Sequence, residues 1–104
     1  MIAVYLRIEM HVYYTYILTN KAKTVLYTGV TNDLELRLIQ HKESVIGNKS
    51  SFTGQYNCHY LLYFETFQNI RDAIAREKEI KGWKRQKKIE LIKTTNPLMN
   101  FLNE

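Results

Sequence analysis

Residues 26–42 read LYTGVTNDLELRLIQHK, and the change of rhythm inside that stretch carries the fold. Its first part belongs to a β-branched and aromatic run, residues 24–30 (TVLYTGV), that suits an extended strand. Thr31 and Asn32 then offer N-cap side chains, and Asp33 and Glu35 sit where the positive end of a helix favours anions. Leu34 and Leu38 open an apolar stripe at helical spacing, so a helix is expected to run to about Glu43.

Working outward, residues 11–19 (HVYYTYILT) read as a first strand. The polar turn at 20–23 is short enough to make the two strands an antiparallel hairpin. Downstream, residues 44–57 form a polar stretch with Gly47 and Gly54, a long loop for a compact domain and for that reason expected to be functional. Residues 59–66 (HYLLYFET) are the third strand. Asn69 is placed to cap a helix from Ile70 to about Lys81, Gly82 breaks it, and a basic helix follows from Trp83 to about Thr94. Asn96-Pro97 ends regular structure. The expected fold is α+β: a small three-stranded antiparallel sheet flanked by helices, in the order β-β-α-β-α-α. Three strands alone are marginal, so helix packing must supply much of the core. The expected organisation is an N-terminal extension at 1–11, with translation starting at Met10, one domain at 12–97, and a C-terminal tail at 98–104.

With 104 residues the chain is one domain's worth. No stretch approaches the roughly 20 apolar residues that span a bilayer, and the first ten lack the apolar core of a signal peptide. A soluble, membrane-free, cytoplasmic protein is expected. Cys58 is the sole cysteine, which excludes an internal disulfide and fits a reducing compartment. His11, His41 and His59 lack the spacing of a zinc site. Between Arg71 and Lys93 nine basic residues meet four acids, which accounts for the whole net charge of +5. Such a segment suits a polyanion, because each neutralised phosphate releases counterions; it equally suits a solvated Lys-rich helix.

Several residues are not explained by a core. Ile70, Ala73, Ile74, Glu77 and Ile80 share one helical stripe, in which Glu77 is the single carboxylate. A carboxylate facing a core must be paired, protonated or bound to a cation, so Glu77 either meets a nearby Lys or Arg or holds a metal. Arg37 and His41 stand one turn apart beside the Leu34/Leu38 stripe. They suit a phosphate, through a bidentate fork and a shared proton, or an edge-of-core pair with heads in water. In the first strand Tyr14, Tyr16 and Leu18 share one face and Tyr13, Thr15 and Ile17 the other. Tyr27 and Gly29 share a face of the second strand, and a glycine there weakens the strand unless something approaches the backbone closely.

The halves Tyr14-Thr15-Tyr16 and Tyr27-Thr28-Gly29, with the continuation through Arg37 to Lys42, resemble the GIY-YIG nuclease family. Residues 73–83 (AIAREKEIKGW) are similar to the part of that family carrying its metal-binding Glu, and Asn96-Pro97 to the end of its small stand-alone members. The first half departs from Gly-Ile-Tyr at two positions but keeps the tyrosine, and Val30 stands where some repair members carry Lys.

The resemblance implies a metal-dependent endonuclease that hydrolyses phosphodiester bonds in DNA. One Mg2+ or Mn2+ ion would be held by Glu77, with Arg37 stabilising charge on phosphorus. Tyr16 would take the proton of the attacking water, with Tyr27 orienting the phosphate and His41 assisting proton transfer. A free tyrosine titrates near pH 10 (about 10), so Tyr16 is expected to need Arg37 and the metal to lower it. Lys49, Ser50, Ser51, Lys84, Arg85, Lys87 and Lys88 are expected backbone contacts to nucleic acid, with Gly29 and Asn96 completing the set. Backbone contacts position a substrate without reading sequence, so structure-directed cutting is expected. The alternative is a weak or silent nucleic-acid-binding module that acts with a protein partner. An acid on an inward stripe favours the enzyme, since it would repel phosphate unless a cation intervened.

Overall fold

The computed structural model describes residues 11–47 and 51–104. The expected start at Met10 and the expected phosphate contacts Lys49 and Ser50 fall outside the described residues. Three strands, β1 (Tyr13–Thr19), β2 (Leu26–Thr31) and β3 (Tyr60–Phe67), form one antiparallel sheet in the order β2-β1-β3. Helices α1 (Leu34–Gly47) and α2 (Phe52–Tyr56) lie between β2 and β3, and α3 (Ile70–Lys81) and α4 (Arg85–Thr95) follow β3. The expected order holds, with one short helix added where a loop was expected. That helix is set by local capping: Ser51 Oγ accepts from the Gly54 amide, and Asn57 closes the turn in the left-handed region at φ 58°. Such capping makes one turn of helix out of a polar sequence without an apolar period.

The N-terminus of α1 also shifts from expectation. Asp33 is the cap, its Oδ1 accepting from the Leu36 amide, while Thr31 Oγ1 accepts from the Asp33 amide one step earlier. The turn between β1 and β2 is built by Asn20, whose Oδ1 accepts from the amides of Thr24 and Val25.

Because β1 is the central strand, its alternation feeds two cores. Ile17 joins Leu62, Tyr63, Ile80 and Ile92 under α3 and α4. Tyr16 and Leu18 join Cys58 and Leu61 on the other face, against Tyr27, Leu34 and Leu38. Thr15 lies on the α3 side and donates its hydroxyl to the Ala73 carbonyl at 2.7 Å. Glu65 on β3 accepts the Arg76 fork of α3, and the same guanidinium lies 5.2 Å from the Trp83 ring, tying α3 to the sheet.

A β-bulge decides the fate of the chain end. Ile17 pairs with Tyr63 and Leu18 with Leu61, so Leu62 is the extra residue of β3. Its carbonyl is taken by the Asn96 side-chain amide at 2.9 Å, which also donates to the Asn100 carbonyl and whose oxygen accepts the Asn100 amide. Asn96, expected among the nucleic-acid contacts, is buried and bonded through both its amide nitrogen and its oxygen within the fold. Residues 98–104, the expected C-terminal tail, pack against the domain. Met99 and Phe101 pack on the Ile17 core, the Leu102 amide donates to the Leu61 carbonyl, and Asn103 bonds Leu61 and His59. This covers the free edge of β3, where unpaired backbone groups would otherwise invite another strand.

Candidate active site

Tyr16 comes from the centre of β1, Tyr27 from the edge strand β2, and Arg37 and His41 from α1, whose Leu34 and Leu38 pack beside Tyr16. The Tyr16 hydroxyl lies 2.8 Å from His41 Nε2, and the Tyr27 ring is 5.4 Å from the His41 ring and 6.4 Å from the Tyr16 ring. The register that pairs Tyr16 with Gly29 lays the phenol across the glycine. A Cβ at Gly29 would stand 2.5 Å from both Tyr16 Cζ and Oη. The close approach expected at Gly29 is therefore made by Tyr16 itself. Since Tyr16 is 1% exposed and bonded to His41, it cannot swing aside. Gly29→Ala is expected to lose about 1–3 kcal/mol of stability, the cost of forcing an extra methyl into a packed site. Urea denaturation measures this, and a variant within about 0.5 kcal/mol of wild type would show the ring to be free to move.

Donor counting fixes the protons of the buried chain. Ser44 Oγ donates to the His41 carbonyl, so the Thr53 hydroxyl donates to Ser44 and accepts from His41 Nδ1–H at 3.1 Å. Nε2 is then the acceptor and Tyr16 the donor. Sequence reasoning missed Thr53 and Ser44 because they fall in the stretch read as a loop; only the capping residue Ser51 signalled a helix there.

Burial pushes the Tyr16 phenol up to about 12, Arg37 opposes the rise, and Tyr27 and Glu77 add to it. Arg37 was expected to lower Tyr16 together with a metal; with Arg37 alone, burial outweighs one partly exposed guanidinium. Arg37 in turn is raised: burial works against its charge, and Tyr16 and Tyr27 more than compensate. Burial, then the Arg37 charge, lowers His41 to about 4, so it is neutral near pH 7 and free to accept.

The linkage has a definite sign. His41 binds its proton near pH 6.5 when unfolded (about 6.5) and only near 4 when folded. The unfolded chain holds the extra proton between those values, so stability is lost as pH falls from about 6.5 towards 4, by on the order of 2–3 kcal/mol. Burial also lowers His59, which adds a slope of the same sign. The check is therefore a comparison of urea midpoints against pH in wild type and His41→Gln, with the variant expected to be flatter. Parallel curves would mean that His41 titrates as it does unfolded.

Glu77 lies on α3, and its charge adds to the rise of the Tyr16 phenol. Its side chain is 14% exposed and pairs with Lys81 Nζ at 2.8 Å. Ala73 and Ile80 of the same stripe are buried while Ile70 is exposed, so Glu77 sits at the border of the core and not within it. Lys81 is 52% exposed, so its ammonium stays solvated if a cation takes its place on the carboxylate. Among the described residues no group of three or more His, Cys, Asp or Glu is arranged to hold a metal. A lone carboxylate does not make a zinc cage. It does fit a hard cation that keeps several waters and takes further oxygens from a substrate phosphate.

The expected basic contacts separate. Lys88 lines a cavity with Tyr27 and Lys81, beside the site. Lys84 is an exposed N-cap residue of α4. Lys87 lies 4.3 Å from the Trp83 ring, and Arg85 donates to the carbonyls of Lys23 and Thr24. Both residues are exposed while making these contacts. Cys58 is buried and burial raises its thiol to about 11, so it is an inert core residue. Among the described residues no helix is long and apolar enough to cross a membrane.

Residues 12–90 match the GIY-YIG catalytic domain. The chain is 39% identical over 83 residues to a UPF0213 protein of Staphylococcus saprophyticus, covering 80% of this chain and 96% of that protein. It is 42% identical over 79 residues to one of Clostridium perfringens, covering 76% and 81%. The solution NMR structure of the UPF0213 protein BH0048 from Bacillus halodurans matches with a TM-score of 0.52 and 30% identity, over 84% of this chain and 88% of that one. The paired tyrosines on adjacent strands, the Arg and His on the helix that follows, and the Glu on the helix after the third strand lie within the matched span. The chain belongs to the GIY-YIG nuclease family, as a small domain homologous to the UPF0213 proteins.

Proposed function

We propose that the protein is a metal-dependent endonuclease acting on DNA, directed by the structure of its substrate more than by sequence. The observation that carries this is the buried Tyr16–His41 hydrogen bond of 2.8 Å, set beside Arg37 and within the field of Glu77. Metal-assisted phosphodiester hydrolysis can use each part: a proton path, a guanidinium for developing charge and a carboxylate for a cation. Glu77 would hold a magnesium or manganese ion. The chemistry such an ion supplies when bound is Lewis-acid stabilisation of charge on the phosphate and the leaving oxygen.

The remaining steps fall to the chain's own groups. Tyr16 Oη takes a proton from the attacking water while its own proton passes to His41 Nε2, so the phenol stays neutral at both ends of the transfer. This avoids ionising a phenol whose burial opposes ionisation. The hydroxide adds to phosphorus and the P–O bond to the leaving strand breaks. Arg37, partly exposed and already near both phenols, offers its fork to the negative charge that develops on phosphorus. Tyr27 orients the phosphate from the sheet edge.

The Lys81–Glu77 pair favours a second reading, in which the acid is permanently neutralised and the domain only binds nucleic acid. End-labelled single-stranded, duplex, flapped and four-way-junction DNA, each with magnesium, manganese or chelator, separates the two. Cutting that requires the metal supports the nuclease; binding with no cutting under either metal overturns it.

A further inference from the structure

A cavity of about 300 Å³ opens at the free edge of β2, lined by Leu26, Tyr27, Thr28, Phe52, Lys81 and Lys88. Consecutive residues of a strand point to opposite faces, so the presence of both Leu26 and Tyr27 places this cavity across the edge, where the two helical layers meet. Its walls differ in kind. On one side is Phe52 of α2, a large aromatic left 46% exposed. It is not loose: its ring is 4.7 Å from that of Tyr56 and 5.7 Å from that of Tyr27. Lys81 and Lys88 also line it, the Lys81 ammonium lying 2.8 Å from the Glu77 carboxylate. The Lys88 side chain makes no hydrogen bond or ion pair with any described residue.

We propose that this cavity is a nucleotide subsite that takes one unpaired base of a DNA strand on Phe52, with the adjoining phosphates facing Lys81 and Lys88. The inference rests on the nuclease reading of the neighbouring site and names the feature of the substrate that it selects. A preformed aromatic face gains contact area with little loss of side-chain freedom, and stacking on it is tolerant of base identity because every base has a π-face. Two lysines lining the cavity with such a face match a phosphodiester backbone beside the base. Tyr27 belongs both to this cavity and to the active site, its ring 5.4 Å from that of His41. The stacked base is therefore next to the phosphate being cut. At about 300 Å³, the small end of ligand sites, the cavity is sized for one nucleotide, and a base stacks on Phe52 only when it is free of its pair. Strands unpaired at a flap, fork or single-stranded stretch enter; continuous duplex does not.

Fluorescence anisotropy in chelator, where nothing is cut, tests this with labelled single-stranded DNA and a fully paired duplex of the same sequence. Phe52→Ala is expected to weaken single-strand binding about tenfold and duplex binding less than about twofold, with Phe52→Trp restoring the single-strand affinity. Phe52→Leu keeps apolar volume against Tyr27 and Tyr56 without the ring, and should behave as Phe52→Ala while melting at the wild-type temperature. Loss that is equal for both DNAs, or no loss for either, overturns the subsite and leaves the nuclease reading intact. If wild type binds neither DNA, both fall.

Discussion

Glu77→Gln is expected to lower DNA cleavage by on the order of a thousandfold or more, the scale of losing a preorganised charge that acts in the transition state, while DNA affinity stays within a few fold. The substitution keeps the shape and a carbonyl oxygen but removes the anion, which is what distinguishes a cation-holding role from a packing one. The protein should remain folded, because Glu77 lies at the core border and its partner Lys81 is half exposed; such an ion pair contributes about 1 kcal/mol or less. Cleavage and anisotropy measured on one preparation separate the readings. If Glu77 serves only to neutralise Lys81, its removal frees a cation beside the cavity, so affinity should rise and any cleavage should persist. That result would remove the enzymatic role of Glu77.

Tyr16→Phe is expected to cost 10²- to 10⁴-fold in cleavage, the usual contribution of a positioned acid–base group (about 10²–10⁴). It should also lower stability by about 1–3 kcal/mol, because His41 Nε2 is left buried with no donor. The pH profile carries more information than the rate. A tyrosine acting as a free phenolate would make activity climb towards its own ionisation, which burial has moved up to about 12. A proton passed on to His41 makes no such demand. Activity should then be level through neutral pH and fall only as His41 is protonated near 4, below which Nε2 can no longer accept. A rate that keeps climbing through pH 9–10 (near the free phenol value of about 10) would rule out His41 as the acceptor.

Much of the architecture was legible because it is local. The α3 cap at Asn69, the helix from Ile70 to Lys81 and the break at Gly82 appear where the spacing predicts them, since an Asx cap and a 3.6-residue stripe are read within a dozen residues. The strands differ from expectation by one or two residues at their ends, where pairing frays. The short helix α2 was not legible, having no apolar period to betray it. The family's motif named the candidate residues, and the fold brings Tyr16, Tyr27, Arg37 and His41 together, with the charge of Glu77 acting on Tyr16 from α3.

The roles of Asn96 and Arg85 went unread for a different reason. An Asn beside Pro and an Arg in a basic run look solvent-facing in sequence. Asn96 instead satisfies a bulge carbonyl 34 residues away, and Arg85 the carbonyls of a turn 61 and 62 residues away. No short window contains either partner.

By itself the sequence determined the strands and the longer helices, their order, and the alternation that splits β1 between two cores. These depend on hydrogen bonds and periodicities spanning a few residues. Only the tertiary structure decided that Tyr16 fills the space above Gly29, that its proton points at His41, that Thr53 sets the histidine tautomer, and that an exposed Phe52 stands beside the tyrosines. Each of these rests on burial and on partners far apart in the chain. Proton affinities follow desolvation and neighbouring charge, and both come into being only when distant segments exclude water together.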